Sequence, residues 1–267
     1  APDRAKAQAD AVLKINTNYA DAYSLLAGVA QSKGDNAEAR KDIEHALSLN
    51  PNKAQYHTAL AILESANPSE ESKAEDELRK ASSLDPKSPT SHVVLAGLLE
   101  KKGDLQGAEQ QYQAAISAAP QSLEPRAALA GLYVRSGNNS KAEDVLHQAV
   151  VDFPDNENAA AMLKEFYGRT GQIDRAESVF ADLNSKYPKS FGIKITYAEI
   201  LADKKDYSKA TTIADELTKT NGDDPQVQVL NGLLLLTKGN VDKAFDLLQQ
   251  ATKSTPNNIQ TQLLLAR

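Results

Sequence analysis

Residues Leu95 to Pro120 read LAGLLEKKGDLQGAEQQYQAAISAAP, and this stretch carries one copy of the pattern that decides the fold. Its second half places Ala108, Tyr112 and Ala115 at i, i+4 and i+7, which is one face of a helix. Its first half runs an apolar face through Leu95, Ala96 and Leu99, and Gly103 separates the two halves. Glycine tolerates the left-handed conformation that ends a helix. The stretch therefore reads as two helices joined by a tight turn.

Pro120 belongs to a series, Pro51, Pro86, Pro120, Pro154, Pro188 and Pro256, with separations of 35, 34, 34, 34 and 68 residues. The skipped position holds Gly222, another helix terminator, so the period is 34 with one single-residue insertion. Twelve residues before each anchor stand Ala39, Ala74, Ala108, Ala142, Ala176, Ala210 and Ala244. Eight before come Ile43, Leu78, Tyr112, Leu146, Phe180, Ala214 and Leu248; five before come Ala46, Ala81, Ala115, Ala149, Leu183, Leu217 and Ala251. An alanine that recurs without exception implies two helix backbones so close that only a methyl fits. A second helix precedes this one in each unit, and its apolar face runs through pairs such as Leu26-Ala27, Leu60-Ala61, Leu95-Ala96 and Leu129-Ala130. Gly34, Gly103, Gly137, Gly171 and Gly239 mark the turns. Asp35, Asp104, Asn138 and Asn240 follow as expected caps, and Asp174 with Glu177 has the spacing of a capping box.

This pattern resembles the tetratricopeptide repeat, over essentially the whole chain. The resemblance implies an all-α, right-handed α-solenoid of antiparallel helix pairs. Seven units are expected at 20–53, 54–88, 89–122, 123–156, 157–190, 191–224 and 225–258. Residues 1–19 fit the second helix of an incomplete unit, with Ala5 in the alanine column. Residues 259–267 fit the start of a further first helix, with Leu265-Ala266 as its apolar pair. Repeat arrays normally end in a polar capping helix, so the expectation is a fragment of a longer protein. Departures are local. The aromatic usual early in the first helix is Tyr23, then His57, His92 and Arg126; Lys205 replaces the turn glycine; the insertion near Asn67-Pro68-Ser69 lengthens one turn.

Composition points the same way. Hydrophobic residues make up 41% and charged residues 25%, as in folded proteins, but aromatics are only 5% and Trp is absent. Burial spread over many small contacts suits a thin stack better than a bulky core. The net charge of −6 disfavours nucleic acid, whose phosphates call for Lys and Arg. Zero cysteines exclude disulfides and thiolate chemistry. The longest apolar run of note, Leu233–Leu236, is far short of the roughly 20 residues that a membrane helix needs.

No catalytic, cofactor or metal site is expected. His57 and His92 are equivalent positions one unit apart, too far for shared metal coordination, and read as amphipathic filler. Glu70-Glu71 and Asp223-Asp224 read as solvated turn residues, and Asn138-Asn139-Ser140 as a polar turn. Binding in the concave groove lined by first helices is what the resemblance implies. The residues expected to face it are Ser24, Gly28, Thr58, Ile62, Val93, Gly97, Ala127, Gly131, Ala161, Glu165, Ile195, Glu199, Val229 and Leu233. Arg135 and Arg169 are expected to line it near Glu165, Glu199 and Asp203. Some family members grip a carboxylate terminus with Lys, Arg and Asn at these places; Ser, Gly, Ala and Val stand here instead. The small residues either admit a closely approaching peptide or helix, or serve tight packing alone.

The expected function is a non-catalytic scaffold for a protein or peptide partner. Its alanine-, asparagine- and glutamine-rich, cysteine-free character is similar to bacterial envelope repeat proteins, including those of polysaccharide export. That similarity leans the localisation toward the periplasm or envelope. Two alternatives stand beside it: the substrate-selecting arm of a larger enzyme such as a glycosyltransferase, and self-association through uncapped ends.

Overall fold

The computed structural model describes residues 2–256 and 259–265, and among these every regular element is helical. Ala266 of the last apolar pair lies outside the described residues. The α-helices are α1 (Pro2–Ile15), α2 (Ala20–Ser32), α3 (Asn36–Leu49), α4 (Ala54–Ser65), α5 (Glu71–Leu84), α6 (Pro89–Lys101), α7 (Leu105–Ala118) and α8 (Glu124–Arg135). They continue as α9 (Asn139–Asp152), α10 (Glu157–Thr170), α11 (Ile173–Lys186), α12 (Phe191–Asp203), α13 (Tyr207–Asn221), α14 (Pro225–Thr237), α15 (Val241–Ser254) and α16 (Ile259–Leu265). The chain forms two compact units, Ala1–Ala142 and Glu143–Arg267. In the first, α2 pairs with α3, α4 with α5 and α6 with α7; in the second, α12 pairs with α13 and α14 with α15. This is the antiparallel helix-pair architecture of an α-solenoid.

Packing follows the apolar columns. All three columns of the second helices are buried, from Ala39, Ile43 and Ala46 in α3 to Ala244, Leu248 and Ala251 in α15. The invariant alanine is fully buried from Ala39 to Ala244, so an added methylene there meets packed atoms rather than space, while Ala5 of α1 is only half-buried. One turn on, the residue identity varies among Ile, Leu, Tyr, Phe and Ala, and all are buried.

The turns obey backbone stereochemistry. Gly34, Gly103, Gly137, Gly171 and Gly239 all have positive φ, between 69° and 84°. The unit that lacks this glycine uses Lys205 at φ 64°, the one non-glycine residue with positive φ among those described. Asp35, Asp104 and Asn138 cap as expected, accepting from Glu38 N at 3.1 Å, Gly107 N at 2.8 Å and Lys141 N at 3.3 Å. Asn240 does not: its side chain makes no cap bond, and its backbone carbonyl alone starts α15, accepting from Ala244 N at 3.1 Å. The capping box at Asp174 and Glu177 is also absent. Asp174 lies inside α11, and Lys204 draws both carboxylates toward itself, with Asp174 Oδ1 at 2.6 Å. The inserted residue is absorbed between α4 and α5 by a 3-10 turn, Pro68–Glu70, with Asn67 Oδ1 accepting from Ser69 N at 3.1 Å.

A charged column, unrecognised in the sequence, stitches successive hairpins. Each of Ala74, Ala108, Ala142 and Ala176 is followed by glutamate. Glu75 pairs with Lys102 and, at 2.6 Å, with Arg79. Glu109 accepts from the Tyr133 hydroxyl at 2.7 Å and pairs with Lys141 at 3.1 Å. Glu143 meets Arg175 at 2.6 Å, and Glu177 pairs with Lys204 and, at 3.3 Å, with Lys209. The bond to Lys102 holds the Glu75 carboxyl below its ordinary range; Tyr133 does the same for Glu109, and Lys204 for Glu177. Burial, then the bond to Glu109, pushes the Tyr133 phenol up to about 12.

Candidate protein-binding face

First helices lie side by side within each unit: α4 against α6 and α6 against α8 in the first, α10 against α12 and α12 against α14 in the second. A second polar column fixes where α2, α4, α6, α8 and α16 begin. The Tyr23 hydroxyl donates to the Thr17 carbonyl at 3.0 Å. Six residues back in the same way, His57 Nε2 bonds the Pro51 carbonyl at 2.8 Å and His92 Nε2 the Pro86 carbonyl at 3.2 Å. Arg126 Nη1 donates to the Pro120 carbonyl at 2.8 Å, and Gln262 Nε2 to the Pro256 carbonyl at 2.8 Å. These carbonyls sit in the linkers between hairpins, outside any helical ladder, and the column supplies the donor. His57 and His92 are therefore buried clamps rather than filler, each also tied to the second helix of its own hairpin. His57 Nδ1 bonds Glu77, and His92 Nδ1 lies 2.8 Å from Gln111 Oε1. Four different side chains do one job, so identity hides the column; the shared donor and the constant offset reveal it.

On the face these helices present, Gly28, Ile62, Gly97, Ala127, Arg135, Ala161, Glu165 and Arg169 are exposed, and Ser24, Val93, Gly131, Glu199 and Leu233 are half-buried. Three expected groove residues are buried instead: Thr58 at 5% exposure, Ile195 at 2% and Val229 at 8%. A first helix is flanked by two others as well as backed by second helices, so less of its circumference is free than an isolated hairpin suggests. Thr58 Oγ1 spends its bonds on the Ala54 carbonyl at 3.1 Å and on Ser91 Oγ of α6 at 3.0 Å. Ile195 packs among Ala198, Leu201 and Leu230, and Val229 among Leu248, Ala251 and Leu264.

The glycines divide between the two readings open to them. A Cβ built on Gly28 or Gly97 meets nothing within 4 Å, so both open onto free surface. At Gly131 it would stand 3.0 Å from Arg135 Nη1, so this glycine makes room for an intramolecular guanidinium. Arg135 reaches Glu100 through two bonds, Nε–Oε1 at 2.5 Å and Nη2–Oε2 at 2.9 Å. In the second unit Lys164, absent from the expected set, holds Glu199 at 2.9 Å and Asp203 at 3.5 Å. Arg135 and Glu199 are thus engaged within the protein, Glu165 and Arg169 stand exposed, and the uncharged openings lie over α2 and α6.

Sequence models of the tetratricopeptide repeat match residues 20–53, 72–122, 99–165 and 169–233. No curated protein matches the chain in sequence. Among solved structures, yeast Tom70 aligns at 16% identity and a TM-score of 0.53, over 99% of this chain and 57% of that one. A tetratricopeptide repeat protein from Parabacteroides merdae aligns at 18% identity and a TM-score of 0.47, over 92% of this chain and 97% of that one. The Cut9–Hcn1 hetero-tetramer of APC/C gives 19% identity and a TM-score of 0.49, over 98% of this chain and 51% of the other.

Proposed function

The chain belongs to the tetratricopeptide repeat family, and from that premise we propose that it is a non-catalytic scaffold that binds a protein or peptide on the face built by its first helices. The observation that carries the reading is the pair of open glycines, Gly28 and Gly97, beside the exposed Leu25 and Ile62. Together they make an uncharged floor on which an extended or helical segment finds close approach to backbone and apolar contact. The salt bridge between Arg135 and Glu100 borders it.

The test is Gly97→Arg, alone and with Gly28→Arg. Each replaces the poorest common helix former with a good one, so the fold holds or gains up to about 1 kcal/mol per site. Partners captured from native extract by the parent chain, and identified by mass spectrometry, are expected to fall away in the variants. Undiminished capture of every partner by a double variant of unchanged circular dichroism sinks the reading. The envelope setting rests on composition and is tested by fractionating the native cells. Among the described residues no helix is long and apolar enough to cross a membrane.

Self-association has one observation in its favour. Val12 and Ile15 on α1, and Val241 and Phe245 on α15, are large apolar side chains left exposed. Light scattering across a concentration series, with Phe245→Lys as comparison, decides it: a mass that stays monomeric in the parent removes the reading.

A further inference from the structure

In the first unit, the polar column that clamps the linker carbonyls has a second partner on the facing helix in two hairpins. His57 on α4 meets Glu77 on α5, and His92 on α6 meets Gln111 on α7. In the hairpin of α2 and α3 the corresponding residues are Tyr23 and Asp42. Tyrosine has one polar atom, and it is spent on the Thr17 carbonyl at 3.0 Å. Nothing is left for the acid. Asp42 is only 9% exposed, and among the described residues no side chain hydrogen-bonds or ion-pairs with its carboxylate.

The neighbouring cations are committed elsewhere. Lys41 Nζ lies 3.0 Å from Glu38 Oε1, and Lys6 Nζ 2.9 Å from Asp10 Oδ2. Burial, then repulsion from Glu38, pushes the Asp42 carboxyl up from its ordinary value. The Asp42 oxygens are not sealed inside the protein, so the carboxylate is open to solvent and to a cation from outside. Directly over it the hairpin leaves a cleft of about 470 Å³, lined by Tyr23, Lys41, Asp42, Glu44, His45 and Ser48. One wall is aromatic, with the Tyr23 and His45 rings edge to face at 4.2 Å and 72°.

We infer that this cleft is a docking pocket for a lysine side chain of a protein partner, whose ammonium supplies the donor that Asp42 lacks. The stem has an aromatic wall to lie on, the ammonium has Asp42 and Glu44 as acceptors, and the Tyr23 ring adds a cation–π contact. The cleft shares α2 with Gly28 and Leu25 but is lined by neither of them, nor by Gly97 or Ile62, so it does not rest on the first-helix reading. Capture of partners through Gly97 succeeds or fails regardless of Asp42.

The experiment titrates the whole chain with Nα-acetyl-lysine methylamide and follows backbone amide and aromatic signals by NMR. It is run at constant ionic strength and about pH 8, where imidazoles as a class are neutral. Nα-acetyl-norleucine methylamide is the uncharged control. Saturable shifts confined to Tyr23, Asp42, His45 and their neighbours are expected, in the millimolar range usual for one side chain. Asp42→Asn is expected to weaken the affinity by about tenfold, the loss of one charge-assisted pair. Tyr23→His places in this hairpin the residue that serves Glu77 in the next, and is expected to abolish the response while the fold persists. The proposal is overturned if the lysine probe gives no saturable shift. It is overturned equally if norleucine matches it, or if Asp42→Asn responds as the parent does.

Discussion

Replacing His57 by Phe restores the aromatic usual at this place in the family and keeps the buried volume, yet it should destabilise the α4–α5 hairpin. The ring of His57 is 2% exposed and bonds two groups, the Pro51 carbonyl at 2.8 Å and the Glu77 carboxylate. Phenylalanine leaves the carbonyl without a protein donor. An orphaned acceptor costs about 1–3 kcal/mol when fully buried, and Pro51 is an exposed linker residue that water reaches, so the lower end applies. Glu77 loses a partner but keeps part of its side chain in water, which adds at most about 1 kcal/mol. The sum is about 1–2 kcal/mol. Glutamine retains the donor, as Gln262 does for Pro256, so His57→Gln should recover roughly half of that. Urea unfolding gives the total, and amide exchange in α4 and α5 localises it, because arrays open hairpin by hairpin. A His57→Phe protein as stable as the parent, or a His57→Gln protein as weak as His57→Phe, refutes the clamp.

Lys205→Gly relieves a left-handed residue, worth about 1–2 kcal/mol, against glycine's entropic cost of about 0.5–1. A net gain of about 0.5 kcal/mol is expected, read as slower exchange of the Asp206 amide, which bonds Leu201 O at 2.8 Å; faster exchange contradicts it. Ala108→Leu should cost about 1–3 kcal/mol by overpacking a fully buried position, measured by urea unfolding against an exposed control, Gln110→Leu. The glutamate column makes the array acid-sensitive. Glu75, Glu109 and Glu177 have folded-state values below their unfolded ones, so their stabilisation is complete above the unfolded carboxylate range near about 4.3 and is lost as pH falls through the lower folded values. Glu109→Gln should flatten the decline in melting temperature between about pH 5 and pH 3, and an unchanged acid limb removes the column from the explanation.

The apolar skeleton was legible because burial against backbone leaves little choice: no other residue type replaces Ala39, Ala74 or Ala108 at the closest approach. The turns were legible for the same reason, since positive φ selects glycine, and even the substitution at Lys205 keeps φ at 64°. Side-chain reach was not. Position along a helix says which way Thr58 or Val229 leaves the backbone, but whether that direction is open depends on the neighbouring first helices. Arg135 and Lys164 show the limit for charges. Both lie on the expected face, and both are engaged by Glu100 and Glu199, partners that no spacing rule singles out among many acids.

The two polar columns explain how an array of modest apolar content keeps its hairpins in register. Alanines set the distance between backbones but are indifferent to small slides along the helix. A donor aimed at a carbonyl six residues back, or a glutamate bonded to a side chain of the next hairpin, is satisfied at one offset only. Each such bond contributes little alone, and the repetition through Glu75, Glu109, Glu143 and Glu177 supplies the specificity. The hairpins α4–α5 and α6–α7 satisfy both a linker carbonyl and an acceptor on the facing helix, whereas that of α2 and α3 satisfies only the first. Tyr23 closes its linker and leaves Asp42 unserved. In a stack held together by matching donors to acceptors, an acceptor that lacks a donor and opens to solvent is a place where a donor from outside gains.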